Sequence, residues 1–430
     1  MVGKSLQLLL LSALVFSFGL SQSTQSVSEE QDYAVCHGLY RDGQFQLAFD
    51  ELTKFVQAHP NSLKRSDAQF LAAECLFNLN QLRPAAQRYE SFAKEFPKSS
   101  LRDDALFRLG EINYNTKKYP EAVLRFKQIL DQYGDGSLAG EAAYWVGEGY
   151  YKIDDYALAL KYYQVCYENY PKSRLADYAL YSAGWTHAHQ KDYTKAVSKY
   201  EELIQKFPQS DLTSSARVRI GECSYYLKDY RKVIEKLTKA RSEIAGKDEQ
   251  AEADYLIGES YYNLEDYPNA LRQYELFLKN HEGHRLERDV KYSLAWTYLN
   301  ETNYTKAAKM FGDLGEDNDD IAQASLFRKG IALKLAGQRK ESDGVFSSVA
   351  VRWPGGSYTD NAIYELGLLQ FDDRQYKKAQ ASFAKVVRGF PQSDVLAAAY
   401  RMLGETHLAQ DDYESAHKAF ASAANMEDAP

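Results

Sequence analysis

Apolar positions along the chain fall at helical spacing, in paired segments joined by short polar stretches. Leu106, Leu109, Ile112 and Asn113 surround Gly110 on one helical face, and Ala122, Phe126, Ile129 and Leu130 repeat that spacing further on. The pattern predicts two antiparallel helices, A and B, with a reversal between them. It then recurs. An aromatic residue followed three positions later by Ala stands at Phe45/Ala48, Tyr119/Ala122, Tyr156/Ala159, Tyr193/Ala196, Tyr267/Ala270, Tyr304/Ala307, Tyr376/Ala379 and Tyr413/Ala416. Leu82/Ala85, Tyr230/Val233 and Arg339/Ser342 are variants of the same anchor. Successive anchors lie 37 residues apart, except for a step of 35 between Tyr304 and Arg339.

Other positions keep this phase. Nine residues before each anchor stands Cys36, Ala73, Gly110, Gly147, Gly184, Gly221, Gly258, Ala295, Gly330, Gly367 or Gly404. Seven residues after each anchor stands a ring or Leu, as in Tyr89, Phe126, Tyr163 and Phe311. Fifteen residues after it, Pro recurs at Pro60, Pro97, Pro171, Pro208, Pro354 and Pro391. A small residue on A and Ala on B let two backbones approach closely, and the ring fills the wider gap between them. Pro ends helix B because it lacks an N–H and clashes with the preceding turn. Asp154-Asp155 and Lys191-Asp192 suit the reversal, where short polar residues favour caps. One such hairpin cannot bury its apolar face alone, so eleven of them imply a stacked array.

The composition fits a folded chain: 45% hydrophobic and 26% charged over 430 residues. A net charge of −8 argues against nucleic-acid partners, which demand a basic footprint. Lys4, the apolar run from Leu8 to Leu20, and Ser21-Gln22-Ser23 have the layout of a signal peptide, cleaved after Ser21 or Ser23. The run is short for a bilayer span of ~20 residues. No Cys follows it closely, the first being Cys36, so no lipid anchor is expected there. The expected organisation is a signal peptide at 1–23, a linker at 24–30, repeats 1–8 over 31–315 and repeats 9–11 over 316–430. The short step and the weak anchor Arg339/Ser342 make 312–320 the place where a bend would fall. Cys36, Cys75, Cys166 and Cys223 form no CxxC and are expected as buried thiols.

Small residue, Tyr nine later, Ala twelve later, ring sixteen later and Pro twenty-four later resemble the tetratricopeptide repeat. The longer B-to-A loops, FPKSSLRDDA, YPKSRLADYA and FPQSDLTSSA, resemble those of bacterial envelope repeat proteins, a group that includes BamD and YbgF. The resemblance implies an all-α solenoid winding as a right-handed superhelix, with helix A on the inner surface. It also implies a non-enzymatic scaffold for other proteins, exported to the periplasm or secreted, serving envelope or outer-membrane assembly without crossing the membrane.

On helix A, four residues after the small position, stand Tyr40, Phe77, Tyr114, Tyr151, Tyr225 and Tyr262; directly after it stand Glu111, Glu148, Glu222 and Glu259. These are the candidate partner-binding residues. An aromatic wall with carboxylates suits a peptide or helix with apolar side chains and some Lys or Arg. The same rings would equally serve as core, and the glutamates as a solvated face. An alternative function is contact with carbohydrate, peptidoglycan or an exported polysaccharide, stacked on the tyrosines. Ala416, Ala419, Phe420 and Ala423 in the last repeat are expected to be partly open, which points to self-association or a covering partner. No catalytic residue, cofactor or metal site is expected: GxSxG, P-loop and GxGxxG are absent, and His281-Glu-Gly-His284 lacks the HExxH spacing. Nor do the acids from Glu316 to Asp320 have EF-hand spacing.

Overall fold

The computed structural model describes residues 29–427. The expected signal peptide lies outside the described residues, as does most of the expected linker; the first helix starts at residue 29. All described secondary structure is helical, without a strand. Each anchor is the first residue of its B helix, as in Leu82–Glu95, Tyr119–Gln132, Tyr156–Asn169 and Arg339–Arg352. Every Pro that was expected to end a B helix lies two residues beyond the last helical one, Pro97 after Glu95 for example. The chain forms two compact units, one ending at Ala216 and one starting at Arg217. Within each, a helix packs on its neighbours in sequence, and contacts between alternate helices, such as Ala139–Lys152 with Ala176–His189, are fewer.

The A-to-B reversal has one geometry throughout. Two residues before each anchor the backbone is left-handed, at Gly43, Asn80, Lys117, Asp154, Lys191, Lys228, Glu265, Thr302, Gly337, Arg374 and Asp411. That residue and the next donate back to the last turn of helix A: Asn80 to Phe77 at 2.9 Å and Gln81 to Leu76 at 2.9 Å, with equivalents in every repeat. This is the Schellman termination, and the residue after it caps helix B. Asp155, Asp192, Asp229, Asp266 and Asn303 each accept from the backbone three residues on. Only Gly43 and Gly337 take the left-handed position without steric cost. Thr302, β-branched with φ of 58°, carries the largest strain of the nine others. Thr302→Gly is therefore expected to raise stability by about 0.5–1 kcal/mol in thermal unfolding; a fall would refute the strain argument.

The core follows the repeat. Tyr89, Phe126, Tyr200, Tyr274, Phe311, Phe346 and Phe383 have no exposed surface, and Ala48, Ala85, Ala122, Ala159, Ala196, Ala270, Ala307 and Ala379 have none either. Where the pattern lapses, a polar bond replaces it: Ser342, in the Ala slot of repeat 9, donates to the Gly330 carbonyl at 2.8 Å. The loop at 315–319 is held from two sides. Arg352 donates to the carbonyls of Gly315, Glu316 and Asp317 at 2.6–2.7 Å. Arg288 binds Asp319 at 2.8 Å, and that bond with the N-cap bond to Ala322 pulls the Asp319 carboxyl down to about 2. In the last repeat, Ala416, Ala419 and Ala423 are buried rather than open, and Phe420 is half-buried against Gly404. They lie on the B-helix face that packs on its own A helix, Leu396–Leu408, so the hairpin itself covers them.

Candidate protein-interaction surface

Adjacent A helices meet with an offset of 34 residues, one period less nearly one helical turn. The Tyr40 hydroxyl lies 3.5 Å from Glu74, Arg108 reaches back to Glu74 at 2.8 Å, and the Tyr114 hydroxyl lies 3.5 Å from Glu148. Ser182 donates to Glu148 at 3.1 Å, and Trp185 donates through Nε1 to the Tyr151 hydroxyl at 3.1 Å. The residue after the small position thus meets the residue two before the small position in the next repeat. Sequence reasoning missed that second position, occupied by Arg108, Trp145, Ser182, Arg219 and Ser293. The signal that finds it is pairs separated by 34, not by 37.

All six candidate aromatics are half-buried. Each tyrosine packs on the anchor ring of its own repeat, Tyr114 on Tyr119 at 5.3 Å, Tyr151 on Tyr156 at 5.5 Å and Tyr225 on Tyr230 at 5.3 Å. Tyr40 lies on Phe45 at 5.7 Å and Tyr262 on Tyr267 at 5.8 Å. Phe77 instead carries the Arg108 guanidinium 4.8 Å above its ring. Tyr225 and Tyr262 accept from Asn263 and Asn300 of the following repeats, at 3.0 and 2.9 Å. A second aromatic row on helix A, three residues before the small position, leans on the B-helix ring of its own repeat: buried Phe107 packs on Phe126 and half-buried Tyr181 on Tyr200, at 5.2 and 5.3 Å.

The glutamates divide into two kinds. Glu111 and Glu222 pair with Arg108 and Arg219 on their own helices, at 2.8 and 2.5 Å. Glu148 and Glu259 instead accept from the hydroxyl of the buried ring on helix B, Tyr163 at 2.8 Å and Tyr274 at 2.7 Å. Glu74, 5% exposed, is bound in the same way by Tyr89. A tyrosine hydroxyl beneath a glutamate is thus one structural unit, present in repeats 2, 4 and 7. In unit 1 the surface joins Tyr40, Phe77, Tyr114, Tyr151, Glu111 and Glu148; in unit 2 it joins Tyr225, Tyr262, Glu222 and Glu259. The latter includes a cleft of about 370 Å³ lined by Arg219, Glu222, Tyr225, Tyr255 and Glu259.

Burial raises the Glu259 carboxyl above its ordinary value of 4.5, and the Asp289 charge adds to this against the bonds from Ser293 and Tyr274. Folding therefore disfavours the ionised form, so its stabilising effect is present at low pH and lost as pH rises through the raised value. Glu259→Gln, which still accepts from Tyr274, is expected to be at least as stable as the parent at pH 7, with the advantage vanishing by pH 4. Urea unfolding at both pH values checks this, and an advantage that grows on acidification would refute it.

His281 and His284 serve separate carboxylates, Asp254 at 3.0 Å and Asp248 at 2.6 Å. All four cysteines are buried and unpaired, and burial pushes Cys36 up to about 11 and Cys75, Cys166 and Cys223 to about 12. Among the described residues no helix is long and apolar enough to cross a membrane.

Repeated hairpins of this geometry define a tetratricopeptide-repeat protein. Models of that repeat match residues 67–99, 255–321 and 364–430. Residues 100–227 match YfiO, an outer membrane lipoprotein family, in keeping with the envelope resemblance of the sequence. No curated protein sequence matches the chain. A tetratricopeptide repeat protein from Parabacteroides merdae is 15% identical, with 63% of this chain and 98% of that one covered and a TM-score of 0.40. MamA from Desulfovibrio magneticus is 21% identical over 42% of this chain and 96% of its own, with a TM-score of 0.36. BtubC from P. vanneervenii is 15% identical over 47% and 91%, with a TM-score of 0.38.

Proposed function

We propose that this protein is a non-enzymatic scaffold of the bacterial cell envelope, exported to the periplasm, whose A-helix faces hold segments of partner proteins. The observation that carries the reading is the half-buried aromatic row. Each ring is fixed on one side by an anchor residue or an arginine and keeps surface for a partner. Rigid amphipathic rings of this kind provide contact area at small entropic cost. The YfiO match supports an envelope setting, and the layout of residues 1–23 supports export. The resemblance of the B-to-A loops to those of envelope repeat proteins supports service to outer-membrane assembly.

In-cell photocrosslinking tests the proposal. A benzophenone amino acid at Tyr151 or Tyr226 is expected to capture envelope proteins, while the same probe at Leu124, 55% exposed on a B helix, does not. Equal capture from all three positions would overturn the A-helix assignment. A specific observation favours a second reading, contact with glycan: Trp185, 47% exposed, offers a ring next to Tyr151. Cosedimentation with purified peptidoglycan, lost in Trp185→Ala, would establish that reading instead.

A further inference from the structure

Repeats 2 and 3 contain a built-in ligand. The Arg108 guanidinium lies on Phe77 and donates to both oxygens of Glu74, through Nε at 2.8 Å and Nη2 at 3.2 Å, while Tyr89 donates from beneath. Carboxylate, ring and tyrosine hydroxyl together form a receptacle for a planar cation.

The same receptacle recurs in repeat 7 without its arginine. Glu259, Tyr262 and Tyr274 stand where Glu74, Phe77 and Tyr89 stand, and Ser293 takes the place of Arg108. The Tyr274 hydroxyl donates to Glu259 at 2.7 Å. Glu259 lines the cleft of about 370 Å³ whose walls include Tyr225 and Tyr255. That volume falls in the usual range of a site for one bulky group. The two arginines of the cleft are already engaged: Arg219 with Glu222 and Glu252, Arg285 with Glu252. Among the described residues no Arg or Lys pairs with Glu259. Asp289 adds a second negative charge close by.

We propose that the cleft at Glu259, walled by Tyr225 and Tyr255, receives an arginine side chain presented by a partner segment, which meets the carboxylate in trans from the repeat-6 side as Arg108 meets Glu74 in cis from the repeat-3 side. The inference rests on the scaffold reading and names the chemistry of its partner. Burial holds the unliganded carboxylate at a cost in stability, which a bound guanidinium offsets. Glu148, Tyr151, Tyr163 and Ser182 repeat the arrangement in repeat 4.

The test selects a random twelve-residue peptide library, displayed on phage, against the full chain and against Glu259→Gln. The chain is expected to enrich arginine-bearing peptides. A fluorescent copy of one should bind Glu259→Gln roughly ten- to hundredfold more weakly, the loss of a charge-assisted bond. Ser293→Arg, which would pair with Glu259 from the repeat-8 side as Arg108 pairs with Glu74 and so neutralise it, is expected to weaken the peptide to a similar degree while keeping the helical circular dichroism of the parent. Enriched peptides without a basic residue, or with affinity indifferent to Glu259→Gln, overturn the inference and leave the scaffold reading standing. Lysine in place of arginine would overturn the requirement for a planar cation. Selection of no peptide by the folded chain would overturn both readings.

Discussion

Gly147→Leu is expected to remove more than about 3 kcal/mol of stability, beyond the usual cost of an overpacked core. A Cβ on Gly147 would lie 2.5 and 2.6 Å from Cδ1 and Cε1 of Tyr163, and 3.2 Å from the Ala159 carbonyl oxygen. The ring cannot yield. Tyr163 is 1% exposed, packs on Tyr144 at 6.1 Å and is held at its hydroxyl by Glu148 at 2.8 Å. The backbone on the other side belongs to the B helix, so relief would separate the two helices of repeat 4. Gly147→Ala should cost less, about 1–2 kcal/mol, because Ala73 faces Tyr89 and Ala295 faces Phe311 in this same chain. Urea unfolding followed by helical circular dichroism and by the fluorescence of nearby Trp145 and Trp185 measures both. A leucine variant within about 1 kcal/mol of the parent would show that the hairpin does not depend on this contact.

This position shows why the fold was legible. The contact between the small residue and the ring sixteen positions later is local, so it leaves its mark in every period. The same holds for the anchor, which starts each B helix, and for the Pro beyond its end. The left-handed turn residue was less legible. Asn80, Lys117, Glu265, Thr302 and Arg374 share no side-chain chemistry, because the geometry is imposed by backbone hydrogen bonds to helix A. Its regularity appears only once both helix ends are placed.

The surface was legible in part. The aromatic row and the glutamates were found by their phase, but phase alone does not tell a carboxylate paired with an arginine from one bound by a tyrosine hydroxyl. That distinction depends on the ring that the B helix of the same repeat supplies. Glu111 and Glu148 occupy the same position, yet Phe126 offers no donor to Glu111, while the Tyr163 hydroxyl binds Glu148. A tyrosine at one position and a glutamate fifteen residues earlier are correlated in repeats 2, 4 and 7, and that correlation, rather than either residue, marks the receptacle.

Between repeats 6 and 7 the 37-residue period is kept while its contents change, and the second large effect is expected there. Repeat 6 has no Pro after its B helix, which ends early at Ala240 and passes into the short turn Arg241–Glu243. The next A helix is longer than usual, Lys247–Asn263. Asp254 joins the pieces. It is 2% exposed and accepts from Arg241 at 2.7 Å and from Gln273 at 3.2 Å, with His281 at 3.0 Å. Arg241 comes from the turn, Gln273 from the B helix of repeat 7 and His281 from its C-cap, so one carboxylate fixes three elements. Asp254→Ala removes the acceptor and leaves these donors facing a cavity, at an expected cost of about 3 kcal/mol. Half-exposed Arg241 recovers some hydration, which keeps the cost at the low end for a broken buried pair. Asp254→Asn, which retains an acceptor of the same shape, should lose less. If urea unfolding found the alanine variant no less stable than the asparagine variant, Asp254 would be a tolerated buried charge, and Ile244, 1% exposed, would have to hold the junction by packing alone.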